Sequence, residues 1–513
     1  MTTMAEPLFP GTLVSVVGAG TMGSGIAHVA ARAGHPVVLF DAQPDALERA
    51  RKGIAKDLAF LVSKQRIEAA EADAILGRIT TAPDLEATAR SALVIEAIAE
   101  DRAAKRSLFA ALEALVADDC ILATNTSSIS ITDIAAGLRL PGRVVGMHFF
   151  NPAPRMALVE VVDGLLTDPQ VAESLIATCK VWGKTPVRAK STPGFIVNRV
   201  ARPYYGESMR TLSEGATDPA TLDAVMRDCG AFPMGPCELM DLIGLDVNLM
   251  VSRSVFDALG GDRRYAPSIL QQELVRAGRH GRKTGHGFHR YGEGVAAPLS
   301  TIEPPSGPAP ATSAPTHLGL LEPLVKRIAA GGVPVKRITG DDGVHLHLQA
   351  GTARVMLGDG RTATQRAVEE GDADLVLIDL AADFARTPRV VLARADQCSD
   401  TAWRDAVATF QAAGIAVARI DDIAGMLVIR TVAMLVNEAA DVVTQGIATV
   451  EDVDTAMRLG TGWTVPPFEW ADRMGAKLVA TVLDHLRNHY GEERYRVAPA
   501  LQRRRWSGGR FHG

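Results

Sequence analysis

Cysteine is scarce in this chain of 513 residues: Cys120, Cys179, Cys229, Cys237 and Cys398 are scattered, and no two stand in a Cys-x-x-Cys spacing. That pattern argues against a zinc cluster and a disulfide framework, and leaves reduced thiols. An excess of one charge is missing as well, since 54 basic residues face 59 acidic ones, interspersed, for a net charge of -5. Nothing in that balance calls for a nucleic acid or a membrane surface as partner. The closing stretch "LQRRRWSGGR" is short and reads as a solvated tail or helix end. Long apolar runs are absent too, so no segment reaches the length of a membrane span. The start, "MTTMAEPLFPG", has neither a basic n-region nor an apolar core of the secretory kind. A reducing cytoplasm is the expected setting.

What is present is the composition of a soluble globular protein, 47% hydrophobic and 22% charged. The length predicts two to four domains. Up to about residue 190, short apolar runs alternate with helix-period stretches. The runs "LVSVVGA", "PVVLFD", "ALVIEAIA", "CILATN", "RVVGMHFF", "ALVEVV" and "TPVRAK" read as strands, which argues for a mostly parallel sheet covered by helices. Between the second and third of them, "ALERARKGIAKDLAFLVSKQRIEAAEADAILGRI" is too long for one crossover and reads as a helical hairpin projecting from the sheet. After "STPGFIVNRV" the texture is helical to about residue 290. A stretch rich in Pro, Gly, Ser and Thr then reads as linker. Beyond it "ADLVLIDL", "RVVLARA" and "IAVARID" look like strands of a second, smaller α/β unit, and helical texture returns near residue 421.

That return is a repeat. Residues 194–244 align without a gap on 425–475, an offset of 231 residues between Gly194 and Gly425. Gly194, Val197, Arg199, Glu207, Gly215, Asp223, Met226, Arg227, Pro236, Glu238, Asp241 and Gly244 all recur. The chain reads as a duplicated sheet-plus-helices protein whose second sheet unit is reduced.

Near the N-terminus, Gly18, Gly20 and Gly23, with Thr21 and Met22 between them, spell G-x-G-x-x-G. The first glycine permits a tight turn, the second lets a pyrophosphate approach, and the third lets helix and strand pack closely. The helix that follows offers free N–H groups to phosphate. Alone the motif is weak. Here it follows a strand, opens a helix and precedes a second strand ending in Asp41, an acid placed to accept from both ribose hydroxyls and to repel a 2'-phosphate. The expected cofactor is NAD rather than NADP, with FAD the rival for the same fingerprint.

Farther along, His148 stands in an apolar strand and Glu160 in a second apolar run, where a lone carboxylate is costly to bury. Pairing the two solves both problems. A His–Glu pair at the end of the sheet also suits hydride chemistry: imidazole takes the hydroxyl proton while the carboxylate orients the ring and stabilises imidazolium. Ser127 and Ser128 follow a strand end, where open α/β sheets bind ligands, though a helix N-cap is the plainer role. Asn198 is a polar side chain at an otherwise apolar helix start, and an internal hydrogen bond is its plainer role.

Taken in order, "GAGTMGSGIA", "EAIAED", "TNTSSISI", "HFFNP", "LVEVV", "TPGFIVNR" and "GRKTGHGF" resemble the NAD-dependent L-3-hydroxyacyl-CoA dehydrogenases over roughly residues 12–291. The resemblance implies His148 as catalytic base, Glu160 as its partner, and Ser127 and Asn198 as groups holding the substrate 3-oxygen. It implies cofactor contacts for Glu100, Lys105, Asn151 and Lys283 besides the glycine loop and Asp41, and places Lys64 near the phosphates of an acyl-CoA, where a solvated lysine is the commoner reading.

The whole architecture resembles the long bacterial form, of the phenylacetate-pathway or 3-hydroxybutyryl-CoA type. It implies an α/β Rossmann NAD-binding domain over 1–190, a helical domain over 191–291 and a linker over 292–317. A reduced Rossmann-like unit over 318–420 and a degenerate second helical copy over 421–513 follow. Ile429 takes the place of Asn198 and no second glycine loop precedes the second copy, so the second half is expected to be catalytically silent. It would supply within one chain the packing that shorter members gain by dimerising, giving either a monomer with internal duplication or a homodimer. The acyl group, 3-hydroxybutyryl or 3-hydroxyadipyl, stays open, with Arg155 and Arg202 as cations for a terminal carboxylate; fatty acid or phenylacetate catabolism is the expected setting. A sugar-acid dehydrogenase of the L-gulonate type and a non-catalytic NAD-binding protein are the rival readings. No metal site is expected.

Overall fold

Runs of Val, Ile and Leu that are buried along their whole length suit strands covered on both faces, as in parallel sheets with crossover helices. The computed structural model, which describes residues 6–339 and 347–513, has that arrangement; the first five residues of the N-terminal stretch read above lie outside it. Strands β1 (Val14–Val17), β2 (Val37–Phe40), β3 (Ile79–Ala82), β4 (Leu93–Glu96), β5 (Ile121–Thr124), β6 (Val144–Phe149), β7 (Leu158–Asp163) and β8 (Thr185–Lys190) form one sheet in the order 3-2-1-4-5-6-7-8. The first six are parallel, β7 runs antiparallel to β6, and β8 is parallel to β7. The helices between them are α1 (Thr21–Arg32), α2 (Pro44–Ser63), α3 (Ala69–Gly77), α4 (Arg102–Leu115), α5 (Ile131–Ala135) and α6 (Pro169–Val181).

All seven expected strands are present, and so is the helical hairpin, as α2 and α3. It does not stand clear of the sheet layer. Leu47, Ala50, Ile54 and Leu58 recur at helical spacing on one buried face of α2, and both α2 and α3 pack on α1. Strand β3, at the end of the hairpin segment, was not foreseen. Its four residues are "ITTA", too short and too polar to announce a strand, and they are ordered by pairing along β2.

The chain continues through α7 (Val197–Val200), α8 (Arg202–Ser213), α9 (Pro219–Asp228), α10 (Pro236–Ile243), α11 (Leu245–Ala258) and α12 (Ile269–Arg276). A second sheet follows, of β9 (Thr312–Pro315), β10 (Val335–Ile338), β11 (Leu348–Ala350), β12 (Ala353–Leu357), β13 (Leu375–Ile378), β14 (Arg389–Arg394) and β15 (Ala416–Arg419), in the order 10-9-11-12-13-14-15. Its helices are α13 (Glu322–Ala330), α14 (Ala363–Glu370) and α15 (Asp400–Ala412); α16 (Val428–Thr444), α17 (Val450–Thr461), α18 (Pro467–Met474), α19 (Ala476–Tyr490) and α20 (Pro499–Ser507) complete the chain. The three expected strands are β13, β14 and β15. Strand β9 lies inside the stretch read as linker, where it is held by β10 on one side and β11 on the other.

The repeat reaches farther upstream than residue identities indicate. Strand β13 is antiparallel to β14 and β14 parallel to β15, as β6, β7 and β8 are related. Asp168 caps α6 and Ser399 caps α15, again 231 positions apart. Contacts divide the chain into two compact units, residues 1–199 with 445–461, and 200–444 with 462–513. The division separates α17 from the rest of its own helical copy. In the first unit α17 packs on β7 and β8, and the Lys190 amide donates to the Ile447 carbonyl at 2.9 Å. In the second unit α9 packs on β14, and the Asp421 amide donates to the Ala216 carbonyl at 2.9 Å. Those two bonds join repeat-equivalent residues, so each sheet is covered by a helix of the other copy.

Candidate active site

The glycine loop is built as its sequence demands. Gly18 has φ +105°, and a Cβ there would stand 2.6 Å from the Ala97 carbonyl oxygen, so only glycine fits. At Gly23 an added Cβ would fall 1.7 Å from the Gly18 oxygen, which is the close packing of loop on helix. Gly20 is the N-cap of α1; a Cβ there would meet nothing within 4 Å. No side chain caps this helix, and its first turn has no acid. Its free N–H groups and positive dipole end therefore remain available to an anion.

Beside the loop, Asp41 Oδ2 accepts from the Ala19 amide at 2.7 Å and Oδ1 from the Gln43 amide at 2.9 Å. Each oxygen keeps a lone pair for a further donor. A cavity of about 380 Å³ opens here, walled by Gly18, Gly20, Phe40, Asp41, Ala97, Ile98 and Leu108 among others. Loop, acid and apolar walls together fit a dinucleotide.

The adjoining strand ends carry a second network. Glu96, fully buried at the end of β4, accepts from Lys105 Nζ at 2.6 Å, the Thr124 hydroxyl at 2.6 Å and the Ile98 amide at 2.7 Å. Lys105 is itself 1% exposed and lies 3.3 Å from Glu100. Glu100 Oε1 in turn accepts from the Thr126 hydroxyl at 2.6 Å and from the Ser127 and Ser128 amides at 3.0 and 3.2 Å. Burial opposes the charge of Glu100, but the Thr126 hydrogen bond and the Lys105 ammonium hold its carboxyl below the ordinary value. Glu100 and Lys105 thus shape the loop that carries Ser127. Neither Ser127 nor Ser128 caps α5; Ser130 does.

The expected His–Glu pair forms. His148 and Glu160 face each other across the antiparallel β6–β7 pair, and His148 Nδ1 lies 2.6 Å from Glu160 Oε2. They are 7% and 0% exposed. The rings of Phe150 and Phe195 lie 4.6 and 5.8 Å from the imidazole centroid. With Nδ1 engaged, Nε2 is the nitrogen left for a substrate. The other oxygen, Glu160 Oε1, accepts from the Ile196 and Val197 amides at 3.1 and 2.9 Å. One carboxylate therefore fixes both the imidazole and the start of α7, where Asn198 is the next residue.

Parallel pairing sets Thr124 of β5 beside Gly146 of β6. Ser127 follows the first by three residues and His148 the second by two, so both stand at one end of the sheet. The Asn125 side chain ties these strand ends by accepting from the Phe149 amide at 2.8 Å. Asn151, in the same segment, is exposed. Lys64 is exposed at the C-terminus of α2, its ammonium 5.7 Å from the Phe60 ring centroid. Lys283 belongs to the other compact unit, where it pairs with Asp246 at 2.6 Å.

Glu96, Thr124 and Asn125 were not singled out from the sequence. A signal for the first existed: a glutamate closing the apolar run "LVIE" needs a buried partner, and Lys105 follows nine residues later. No cluster of metal-ligating side chains occurs among the described residues.

In the second half, register puts Asp379 where β6 carries His148, and Val391 where β7 carries Glu160; the Asp379 amide donates to the Val391 carbonyl at 3.0 Å. The carboxylate has moved to the other strand, yet it keeps the capping task. Asp379 accepts from the Leu427, Val428 and Ile429 amides at 3.0, 2.7 and 3.0 Å. The helix start is preserved, and the imidazole is gone.

A glycine loop heading an uncapped helix, with an acid closing the neighbouring strand, defines a Rossmann-type dinucleotide-dependent oxidoreductase; the buried imidazole supplies the base that alcohol oxidation requires. Comparison with known proteins narrows the class. Residues 13–192 match the family of 3-hydroxyacyl-CoA dehydrogenase NAD binding domains. Residues 194–291 and again 425–510 match its C-terminal domain, and 355–423 match the 3-hydroxybutyryl-CoA dehydrogenase reduced Rossmann-fold domain. The chain is 42% identical to a 3-hydroxyadipyl-CoA dehydrogenase of Escherichia coli (strain K12) over 491 residues, 96% of this chain and 97% of that one. It is 42% identical to a probable 3-hydroxybutyryl-CoA dehydrogenase of Bacillus subtilis (strain 168) over 280 residues, 55% of this chain and 97% of that one. A crystal structure of 3-hydroxybutyryl-CoA dehydrogenase from Escherichia coli K12 superposes with a TM-score of 0.86 at 41% identity, covering 98% of this chain and all of the other. The chain belongs to the 3-hydroxyacyl-CoA dehydrogenase family and is an NAD-dependent oxidoreductase. The sugar-acid and non-catalytic readings are not favoured.

Proposed function

We propose that this enzyme reversibly oxidises a short or dicarboxylic (S)-3-hydroxyacyl-CoA, 3-hydroxybutyryl-CoA or 3-hydroxyadipyl-CoA, to the 3-oxoacyl-CoA, as the names of its relatives suggest. The buried contact of His148 Nδ1 with Glu160 Oε2 at 2.6 Å carries the reading. Bound NAD supplies the hydride acceptor for C3 of the substrate. His148 takes the hydroxyl proton at Nε2, and Glu160 stabilises the imidazolium so formed. The Ser127 hydroxyl and the Asn198 amide hold the 3-oxygen as its charge changes. Asp41 selects NAD by accepting from the ribose hydroxyls, and Glu100, Lys105, Asn151 and Lys283 serve the cofactor side. Lys64 attracts the phosphates of the acyl-CoA.

The test is NADH consumption with acetoacetyl-CoA and with 3-oxoadipyl-CoA, run beside NADPH and beside His148→Ala. Rapid NADH oxidation, little with NADPH, and loss of at least ~100-fold in the variant with NADH binding retained are expected. The better of the two substrates decides the acyl group. Full turnover by the variant would remove His148 from the mechanism.

The cytoplasm as site of action rests on the reduced, scattered cysteines, all five of which are free and buried, and no helix among the described residues is long and apolar enough to cross a membrane. The exchange of α9 and α17 between copies supports a chain that meets its helical packing needs internally, as a monomer.

A further inference from the structure

A second cavity, of about 330 Å³, lies in the first compact unit behind the glycine loop. Its walls are the C-terminal half of α1, the turn after α6, and Pro154 of the segment that follows β6. Five side chains give it its character: His28, Arg32, Val29, Trp182 and Lys184. His28 is 2% exposed, and neither of its ring nitrogens has a hydrogen-bond partner; Trp182 is 7% exposed and its Nε1 has none either. Three buried polar atoms without partners are costly, because each gives up its water on folding. Lys184 Nζ donates to the Ala153 and Met156 carbonyls at 2.6 and 2.8 Å, which leaves one of its three protons. Arg32 is exposed at the rim. No acidic side chain lines the cavity.

The inventory selects its ligand. Indole N–H, the spare ammonium proton and the guanidinium all donate, so the ligand must be rich in acceptors and negatively charged. Burial lowers the pKa of His28, with Arg32 and Lys184 adding to the effect and Asp57 opposing it, so the ring is neutral at neutral pH and offers one donor and one acceptor. A carboxylate can answer only the donor. A phosphate that still holds a proton can answer both.

We propose that this cavity is a binding site for a phosphate group, free or as the monoester of a small metabolite, separate from the dinucleotide and His148 sites. Its walls include α1, whose other end is the glycine loop, and the segment three residues beyond Asn151.

The experiment is titration of the full-length protein, saturated with NADH so that the glycine loop is occupied, with inorganic phosphate and with glycerol 3-phosphate, against potassium chloride of equal ionic strength. Indole fluorescence and the melting temperature are both read. Wild type is expected to bind one or both phosphates saturably and to melt higher in their presence. Arg32→Ala, a rim substitution, should weaken binding at least tenfold, and Trp182→Phe, which keeps the ring and removes Nε1, severalfold. Turnover of acetoacetyl-CoA should persist in Arg32→Ala. Tighter binding of glycerol 3-phosphate identifies a monoester, and equal binding identifies free phosphate. Absence of saturable binding in the wild type, or binding that Arg32→Ala leaves unchanged, would overturn the proposal and leave the cavity to water.

Discussion

At the scale of single residues, one carboxylate has two tasks. Glu160 Oε2 holds His148 and Oε1 holds the α7 amides. Glu160→Gln keeps an oxygen for the helix start and loses the charge that supports imidazolium. Its expected result is a fall in kcat of ~100-fold with a melting temperature near that of wild type, checked by steady-state kinetics beside thermal unfolding. Lys105 works differently, since it sits between Glu96 and Glu100 with almost no exposure. Lys105→Met strands the buried Glu96 carboxylate and should cost ~3–5 kcal/mol in urea unfolding.

In the second unit His485 lies 3.6 Å from the Asp359 carboxylate. Burial opposes the charge of Asp359, but His485, Arg361 and Arg366 hold its carboxyl well below the carboxylate range. The Asp359 hydrogen bond raises His485. Asp359 therefore contributes stability above about pH 4, lost as pH falls through its depressed value, and His485 contributes below about pH 6.5, lost as pH rises through its raised value. The stability difference between wild type and His485→Gln should peak between those limits and shrink by pH 9; urea unfolding across that range checks it.

At the scale of elements, the long apolar runs announced themselves and the short ones did not. Strands β1, β4, β5 and β6 are buried at every residue, so their sequences are unbroken runs. Strand β3, with its two threonines, and β9, which ends in proline, exist only because a neighbour pairs with them. The repeat was legible from Gly194 onward, where turns and caps keep their residues. Upstream of it, β6–β8 and β13–β15 share little beyond hydrophobicity, and His148 has become Asp379; topology alone reveals the equivalence. The packing of α17 on the first sheet is equally specific. A Cβ at Gly460 would stand 2.9 Å from both Leu158 and Val197. Gly460→Leu should therefore lose ~1–3 kcal/mol of stability by overpacking, measured by urea unfolding, and reduce kcat through the displaced start of α7.

At the scale of the whole molecule, the reciprocal placement of α9 and α17 means that neither half owns all of its own structure. A chain ending at residue 299 lacks α17 and would leave β7 and β8 uncovered. That fragment is expected to dimerise or aggregate while the full chain stays monomeric, as gel filtration with light scattering would report. A full-length dimer would count against internal duplication as the substitute for dimerisation.

The sequence by itself determined the dinucleotide loop, the acid beside it, the pairing of His148 with Glu160 and the degeneracy of the second copy. Each is a local motif, or a polar residue in an apolar run that burial obliges to find a partner. Tertiary structure decided the rest. Glu96 became the anchor beneath Lys105, Glu160 became the cap of α7, and each helical copy came to cover the other's sheet. Those outcomes depend on which strand ends and helix starts meet in space, and no spacing along the chain encodes a contact between residues such as Lys190 and Ile447.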